Sequence, residues 1–306
     1  MENKIILSIC IPTYNREKYL KECLDSIVKQ NGFDKNKVEV IISDNASQDN
    51  TNKLVKEYQI NYKNIRYFKN SENIGMIKNI TKVVDYANGK YSWILSDDDC
   101  LFENTIYDIL KLLENSKTSI FVLNYTSFNN ELNKIIVDNV MNLSTDLNLL
   151  DKYKFINNIV KNWYQLSGGI FLFVSNKIFF TDLFTSSPIK KEILESTKLE
   201  YNKYAYPFSM ILFNSFINYG SYIISKPIIK LRNDNLSWNI SKNLYYHYHL
   251  YKFFYINVKD KSFKKNIIKI FIKEFFWHYT TLITKKIGIY ELLSKIWKKY
   301  FLKNYN

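Results

Sequence analysis

Three adjacent carboxylates, Asp97, Asp98 and Asp99, stand at the end of an apolar stretch, Tyr91 to Leu95, with Ser96 between. Like charges this close resist joint ionisation, and a divalent cation offsets the repulsion. Ligands that are all oxygen suit Mg²⁺ or Mn²⁺, and two carboxylates completed by phosphate oxygens form a common Mg²⁺ arrangement. A cation on diphosphate oxygens would stabilise the negative charge that develops as a nucleoside diphosphate leaves. An attacking hydroxyl would also need a general base within hydrogen-bond reach. The plainer alternative is a solvated acidic turn that caps a helix beginning near Asn104.

The elements that must position these carboxylates can be read from hydrophobic period. Ile5 to Pro12 is a near-continuous apolar run, as expected for a strand covered on both faces. Tyr19, Leu20, Cys23, Leu24, Ile27 and Val28 recur at helical spacing. Val38 to Ser43 is a second strand, and Asp49 or Asn50 can cap a helix carrying Leu54, Val55 and Tyr58. Ile65 to Phe68 is a third strand. A helix through Ile77, Ile80, Val84 and Ala87 should stop near Asn88-Gly89, and Tyr91 to Leu95 is the fourth strand.

Strands alternating with helices imply right-handed crossovers and an α/β fold with a doubly wound, mixed but mainly parallel sheet. Ligands of such sheets bind at the carboxyl ends of the strands. Polar residues collect there in this chain: Pro12 to Arg16, Asp44 to Asp49, Asn70 to Gly75 and Ser96 to Asp99.

The remaining sequence adds fewer constraints. A 306-residue chain with 46% hydrophobic and 24% charged residues can bury a sizeable core. Cys10, Cys23 and Cys100 include no CxxC pair, which speaks against a disulfide framework or zinc site and for a reducing cytosol. The N-terminal apolar segment is too short for a signal peptide. Residues 204–225 carry no charge, but Pro207, Asn214, Asn218 and Gly220 favour a buried helix followed by a strand over a membrane span. Gly168-Gly169 before Ile170 to Val174 reads equally as an element under an acceptor site and as a tight turn into a strand, and His247, His249 and His278 read as surface or core residues rather than metal ligands.

The formal charge of +14 is concentrated in a tail, since Ser241 to Asn306 holds 14 Lys against three acidic residues. Ile267, Phe271, Phe275 and Leu282, then Ile289, Leu293, Ile296 and Tyr300, form apolar stripes flanked by lysines. Such cationic amphipathic helices suit an anionic membrane surface. They would equally serve packing on the core or a homo-oligomer. Nucleic acid is a poor fit, because the chain has very few arginines and its acidic run lies among the strand-end residues.

Ser8-Ile-Cys-Ile-Pro-Thr-Tyr-Asn-Arg16, Ile42-Ser-Asp-Asn-Ala-Ser-Gln-Asp49, Asn73-Ile-Gly75 with Asn79, and Trp93 to Asp99 together resemble the family 2 glycosyltransferases of the A-type fold. The resemblance covers about the first 110 residues. It implies a Rossmann-like nucleotide-diphospho-sugar domain over residues 1–238, with nucleotide and metal in 1–110 and the acceptor in 111–238. Residues 239–306 would form a basic helical extension.

The resemblance further implies that Pro12, Thr13, Tyr14 and Arg16 line the nucleotide and that Asp44 accepts a hydrogen bond from the base. Asn73 and Gly75 would shape the loop near ribose and phosphates, with Lys78 on a phosphate. Asp97 would sit near the ribose, and Asp98, with Asp99, would hold Mn²⁺ or Mg²⁺. Ser96 stands where the commoner Asp-x-Asp-Asp form has its first acid, and a one-residue change of register would exchange these roles. The base of an inverting reaction would come from Lys190 to Lys203, with Glu200 preferred and Glu195 next.

The expected activity is transfer of a sugar from a nucleotide-sugar donor, UDP- or dTDP-linked, to a glycan acceptor, free or lipid-linked. Bacterial surface polysaccharide, lipooligosaccharide or glycoprotein glycan would be the product, made at the cytoplasmic face of the inner membrane. The rivals are a sugar nucleotidyltransferase, which would carry a Gly-rich loop after the first strand, and a non-enzymatic basic binding module.

Overall fold

The computed structural model describes residues 5–150, 175–195, 211–212 and 219–232, with further positions at 261, 264, 265 and 269. Glu200, Gly168-Gly169, the three histidines and the stripes of residues 267–300 lie outside the described residues. The chain divides into two compact units, one of residues 1–155, 164–198 and 207–235, the other of residues 156–163, 199–206 and 236–306. In the second unit the described Lys261, Lys264, Lys265 and Lys269 are helical, with Lys261, Lys265 and Lys269 exposed.

The first unit is built on a sheet that has ten strands among the described residues. Its first four are β1 (Leu7–Thr13), β2 (Val38–Asp44), β3 (Ile65–Lys69) and β4 (Tyr91–Ile94). Leu7, Ile9, Cys10 and Ile11 of β1 and Val40, Ile41 and Ile42 of β2 are fully buried, as their near-continuous apolar runs require. Each such aliphatic side chain contributes about 1.5–3 kcal/mol of burial energy.

β3, β2, β1 and β4 lie side by side in that order, all parallel. The chain winds outward from β1 to β3 and then crosses back to lay β4 on the other side of β1. The strand order therefore reverses between β1 and β4, which opens a crevice at their carboxyl ends.

The second half supplies β5 (Cys100–Leu101), β6 (Ile120–Phe128), β7 (Ile135–Val137), β8 (Leu147–Leu149), β9 (Lys177–Phe180) and β10 (Ser221–Arg232). β9 runs antiparallel between β4 and β6, and β10 lies parallel to β6. The sheet is thus mixed, with an all-parallel first half, as expected of the class.

Helices α1 (Glu17–Val28), α2 (Thr51–Asn61), α3 (Met76–Val83), α4 (Thr105–Glu114), α5 (Thr181–Thr185) and α6 (Pro188–Glu195) cover the sheet. α1 buries Leu20, Cys23, Leu24, Ile27 and Val28, the stripe read from period. At the start of α2 it is Asp49, not Asn50, that binds the first turn, accepting from the Thr51 backbone N–H at 3.1 Å.

α3 passes into a 3₁₀ turn, Val84–Tyr86, before reaching Asn88-Gly89. The glycine is needed for a different reason than helix termination. A Cβ on Gly89 would stand 2.7 Å from the backbone nitrogen of Ser8, so only glycine lets β4 begin against β1.

α4 starts at Thr105, and the preceding Asn104 takes a left-handed conformation with φ 62°. Asp97 and Asp99 are buried, which sets aside the solvated capping turn. Ile211 and Leu212 are helical and buried, and β10 begins at Ser221, in line with a helix and strand in the uncharged stretch. Among the described residues no helix is long and apolar enough to cross a membrane. The three cysteines are buried and free.

Candidate active site

The loops after β1 and β2 are tied together residue by residue. The Asn45 backbone N–H donates to the Thr13 carbonyl at 2.9 Å, the Asn15 N–H to Ser47 Oγ at 2.9 Å, and the Gln48 N–H to Asn15 Oδ1 at 2.7 Å. The Glu17 N–H adds a bond to Asp49 Oδ2 at 3.0 Å. Asn15 adopts φ 51°, a left-handed value that asparagine tolerates better than most side chains. The polar character of these motifs is therefore partly structural. It leaves Pro12 half-buried, Thr13 buried, and Tyr14 and Arg16 exposed along the crevice.

The acidic run follows β4 across the same crevice, and its three carboxylates have separate environments. Asp97, 4% exposed, accepts from Thr13 Oγ1 at 2.7 Å and from an Arg16 guanidinium nitrogen at 3.2 Å. Burial pushes its pKa up to about 6, opposed by the Arg16 charge and raised further by Asp98. Asp98 is more open, and accepts from Ser96 Oγ at 2.6 Å and from Arg16 at 2.8 Å. Asp99 faces inward: Ser175 Oγ donates to Oδ2 at 2.6 Å and the Arg232 backbone N–H to Oδ1 at 3.2 Å. Burial, then the neighbouring Asp98, holds its carboxyl above the ordinary range.

Ser96 thus has a definite task in place of the commoner acid. Its hydroxyl fixes one Asp98 oxygen, and its backbone N–H donates to Ser175 Oγ at 2.9 Å. An aspartate there would add a fourth negative charge without that donor.

Among the described residues no three acidic, histidine or cysteine side chains converge to hold a metal ion. The donor set nevertheless fits one whose remaining ligands come from a diphosphate. Asp97 Oδ1 and Asp98 Oδ2 meet on a single guanidinium nitrogen of Arg16, 3.2 and 2.8 Å away, so the two oxygens already share one cationic centre. Asp99, expected beside Asp98 in that role, has both oxygens engaged by Ser175 and Arg232 instead.

Asp44 lies at the end of β2, fully buried. The Ser47 N–H donates to its Oδ1 at 2.8 Å and the Tyr67 hydroxyl to its Oδ2 at 2.5 Å. Burial, then the bond to Asp44, pushes the Tyr67 hydroxyl pKa upward, so tyrosine remains the donor.

Beside it runs an asparagine network. Asn45 Nδ2 donates to Asn73 Oδ1 at 2.7 Å, Asn70 Nδ2 to Asn79 Oδ1 at 2.9 Å, and the Ile74 N–H to Asn45 Oδ1 at 3.0 Å. Gly75 follows at φ 85°, a conformation natural to glycine, and Lys78 is half-buried on α3. The network shapes the loop in which Asn73 and Gly75 stand.

Glu195 ends α6, exposed, with Lys191 at 3.8 Å. α6 packs against α3. Nothing described brings Glu195 to the acidic run.

Sequence pattern alone does not single out Arg232, Ser175 or Tyr67. Arg232 at the end of β10 donates through Nε to the Asp98 carbonyl at 2.6 Å, pairs with Glu22 and the Asn130 carbonyl, and lies over the Tyr19 ring at 5.0 Å. It and Ser175 come from far along the chain, where no local pattern marks them. Tyr67 had one available signal, a polar tip two residues from the end of the strand that pairs with β2.

Known proteins share this architecture. The model of Glycosyl transferase family 2 matches residues 8–184. Abequosyltransferase RfbV of Salmonella typhimurium is 33% identical over 294 residues, 91% of this chain and 83% of that protein. Staphylococcus aureus TarS 1-349, solved in complex with UDP-GlcNAc, superposes with a TM-score of 0.62 at 19% identity, covering 88% of this chain and 72% of TarS 1-349. The mannosyltransferase PcManGT of Pyrobaculum calidifontis, in complex with GDP-Man and Mn²⁺, gives 0.51 at 15% identity, over 87% and 68% of the two chains. At such identities the two structures speak for the fold, which is the A-type glycosyltransferase fold.

Proposed function

The chain belongs to Glycosyl transferase family 2, and from that premise we propose that it transfers a sugar from a UDP- or dTDP-linked donor to a hydroxyl of a glycan acceptor. The observation that carries this reading is the meeting of Asp97 and Asp98 on one cationic centre at the β1/β4 switch point. A donor diphosphate would lie there, with its base toward Asp44 and its ribose near Asp97. UDP-GlcNAc in the complex of the TarS neighbour is in keeping with a pyrimidine nucleotide.

Each residue would have a distinct duty. Asp44, buried and already an acceptor, takes a ring N–H of the base. Thr13 holds Asp97 in orientation, and Ser96 holds Asp98. Asp98, with Asp97, would hold Mn²⁺ or Mg²⁺, which when bound neutralises charge growing on the leaving diphosphate. Glu200, or failing that Glu195, would remove the acceptor hydroxyl proton as the new C–O bond forms and the bond to the diphosphate breaks, with inversion.

The basic residues 239–306 would dock the enzyme on the cytoplasmic face of the inner membrane, where a lipid-linked acceptor would be met. Equal sedimentation with neutral and anionic vesicles would exclude that docking, and a dimer in solution would point to the homo-oligomer instead. A surface polysaccharide, lipooligosaccharide or glycoprotein glycan is the product class this arrangement serves.

The deciding experiment supplies a panel of nucleotide sugars with Mn²⁺ and lipid-linked or polysaccharide acceptors. Release of nucleoside diphosphate and a lengthened acceptor are expected from one pyrimidine-linked donor. Release of pyrophosphate from a nucleoside triphosphate and a sugar phosphate would favour the nucleotidyltransferase.

A further inference from the structure

We propose that Arg16 is the resident counter-ion of the Asp97–Asp98 pair, and that it leaves the pair as a divalent cation and a nucleoside diphosphate arrive, which makes their binding cooperative. This rests on the donor and metal reading above and says how that site is regulated.

One nitrogen of Arg16 contacts both carboxylates, 3.2 Å from Asp97 Oδ1 and 2.8 Å from Asp98 Oδ2. A cation coordinated by these oxygens would stand about 2.1 Å from them, inside the space the guanidinium takes. The two positive centres cannot share it, because at that separation their repulsion is large in a partly buried site. Arg16 must therefore move when the ion enters.

Arg16 is built to move. Its side chain is 42% exposed, and it stands just before α1, with the two carboxylates as its side-chain partners among the described residues. Arg232 is the opposite case: its side chain is 1% exposed and pinned by Glu22, the Asp98 and Asn130 carbonyls and the Tyr19 ring.

The side-chain type adds to this. The chain holds 43 lysines and arginines, of which Arg16, Arg66 and Arg232 are the only arginines. Arg66 bridges Glu39 and the Tyr86 carbonyl, so each of the three spans two or more acceptors, a geometry that a lysine point charge reproduces poorly. A guanidinium released from two carboxylates is also suited to two oxygens of a diphosphate. The nucleotide would then provide Arg16 with new partners and the ion with new ligands, so each ligand would favour the other to the same extent.

The test is Mn²⁺ binding, read by electron paramagnetic resonance of free Mn²⁺ with MnCl₂ alone and with saturating UDP, for the wild type, Arg16→Gln and Arg16→Lys. In the wild type UDP should tighten Mn²⁺ binding about tenfold or more. Arg16→Gln should bind Mn²⁺ alone about tenfold more tightly than the wild type, and UDP should tighten it by less than in the wild type, the remaining gain coming from the diphosphate oxygens that ligate the ion directly. Arg16→Lys should fall between them. Mn²⁺ binding to Arg16→Gln no tighter than to the wild type, or undiminished coupling to UDP, overturns the inference while leaving the metal site intact. UDP binding without any Mn²⁺ uptake in all three proteins overturns the metal reading and the inference together.

Discussion

Thr13 Oγ1 donates a 2.7 Å hydrogen bond to Asp97 Oδ2, joining the ends of β1 and β4 across 84 residues of sequence and the switch point of the sheet. Thr13 is 3% exposed and Asp97 4%, so the bond is made out of water and the carboxylate depends on its few partners.

That dependence gives a pH signature. Burial raises the Asp97 pKa from 3.8 to about 6. Between these values the folded protein holds a proton that the unfolded chain has released. Stability from this group is therefore full below about pH 4 and falls as pH rises to 6, by on the order of 3 kcal/mol. Urea unfolding of the metal-free protein at pH 4.5 and 6.5 should show the fall in the wild type and a smaller one in Asp97→Asn. Identical pH slopes in the two proteins would show that Asp97 ionises as freely folded as unfolded.

Asp98→Asn should fold normally, since its side chain is the most open of the three and loses one of three clustered charges. Activity should fall by two to three orders of magnitude, about 3 kcal/mol or more of lost charge stabilisation. EDTA should reproduce the defect in the wild type, and added Mn²⁺ or Mg²⁺ should reverse it. A full rate in EDTA, or in the variant, would remove the metal from the mechanism.

Tyr67→Phe removes the hydroxyl that occupies Asp44 Oδ2. The unliganded variant should lose about 1.5–3 kcal/mol, typical of a hydrogen bond to a charged group. UDP, bringing its own N–H to the freed oxygen, should raise the Tm of the variant by more than that of the wild type. A smaller UDP shift in the variant would mean that the base does not reach Asp44.

Glu200→Gln should lower turnover by about 10²- to 10⁴-fold with UDP affinity nearly unchanged, and Glu195→Gln should do so if Glu200 does not. Isothermal titration with UDP separates binding from chemistry. Near-normal turnover in both variants would direct the search to Glu192 and Asp182.

The strands of the parallel half were legible because burial on both faces demands runs such as Leu7 to Ile11 and Val38 to Ile42, which few other contexts produce. The crevice followed from them, since polar residues at four successive strand ends have little reason to be there except a shared edge. β9 was not legible: its antiparallel place between β4 and β6 depends on pairing partners more than 50 residues away. Gly89 was visible as a helix stop, whereas its contact with Ser8 is a property of the packed sheet.

By itself the sequence determined the alternation of strands and helices, the site's edge of the sheet and the acidic run as its chemical centre, all of which rest on local period and residue type. Only the tertiary structure decided how the run divides its labour. Asp99 turns to Ser175 and Arg232, whereas Asp97 and Asp98 turn to Arg16, because those partners reach it from β10, from the residues before β9 and from the loop after β1. Three neighbouring carboxylates look alike in one dimension, and differ once burial and distant hydrogen-bond donors give each its own electrostatic environment.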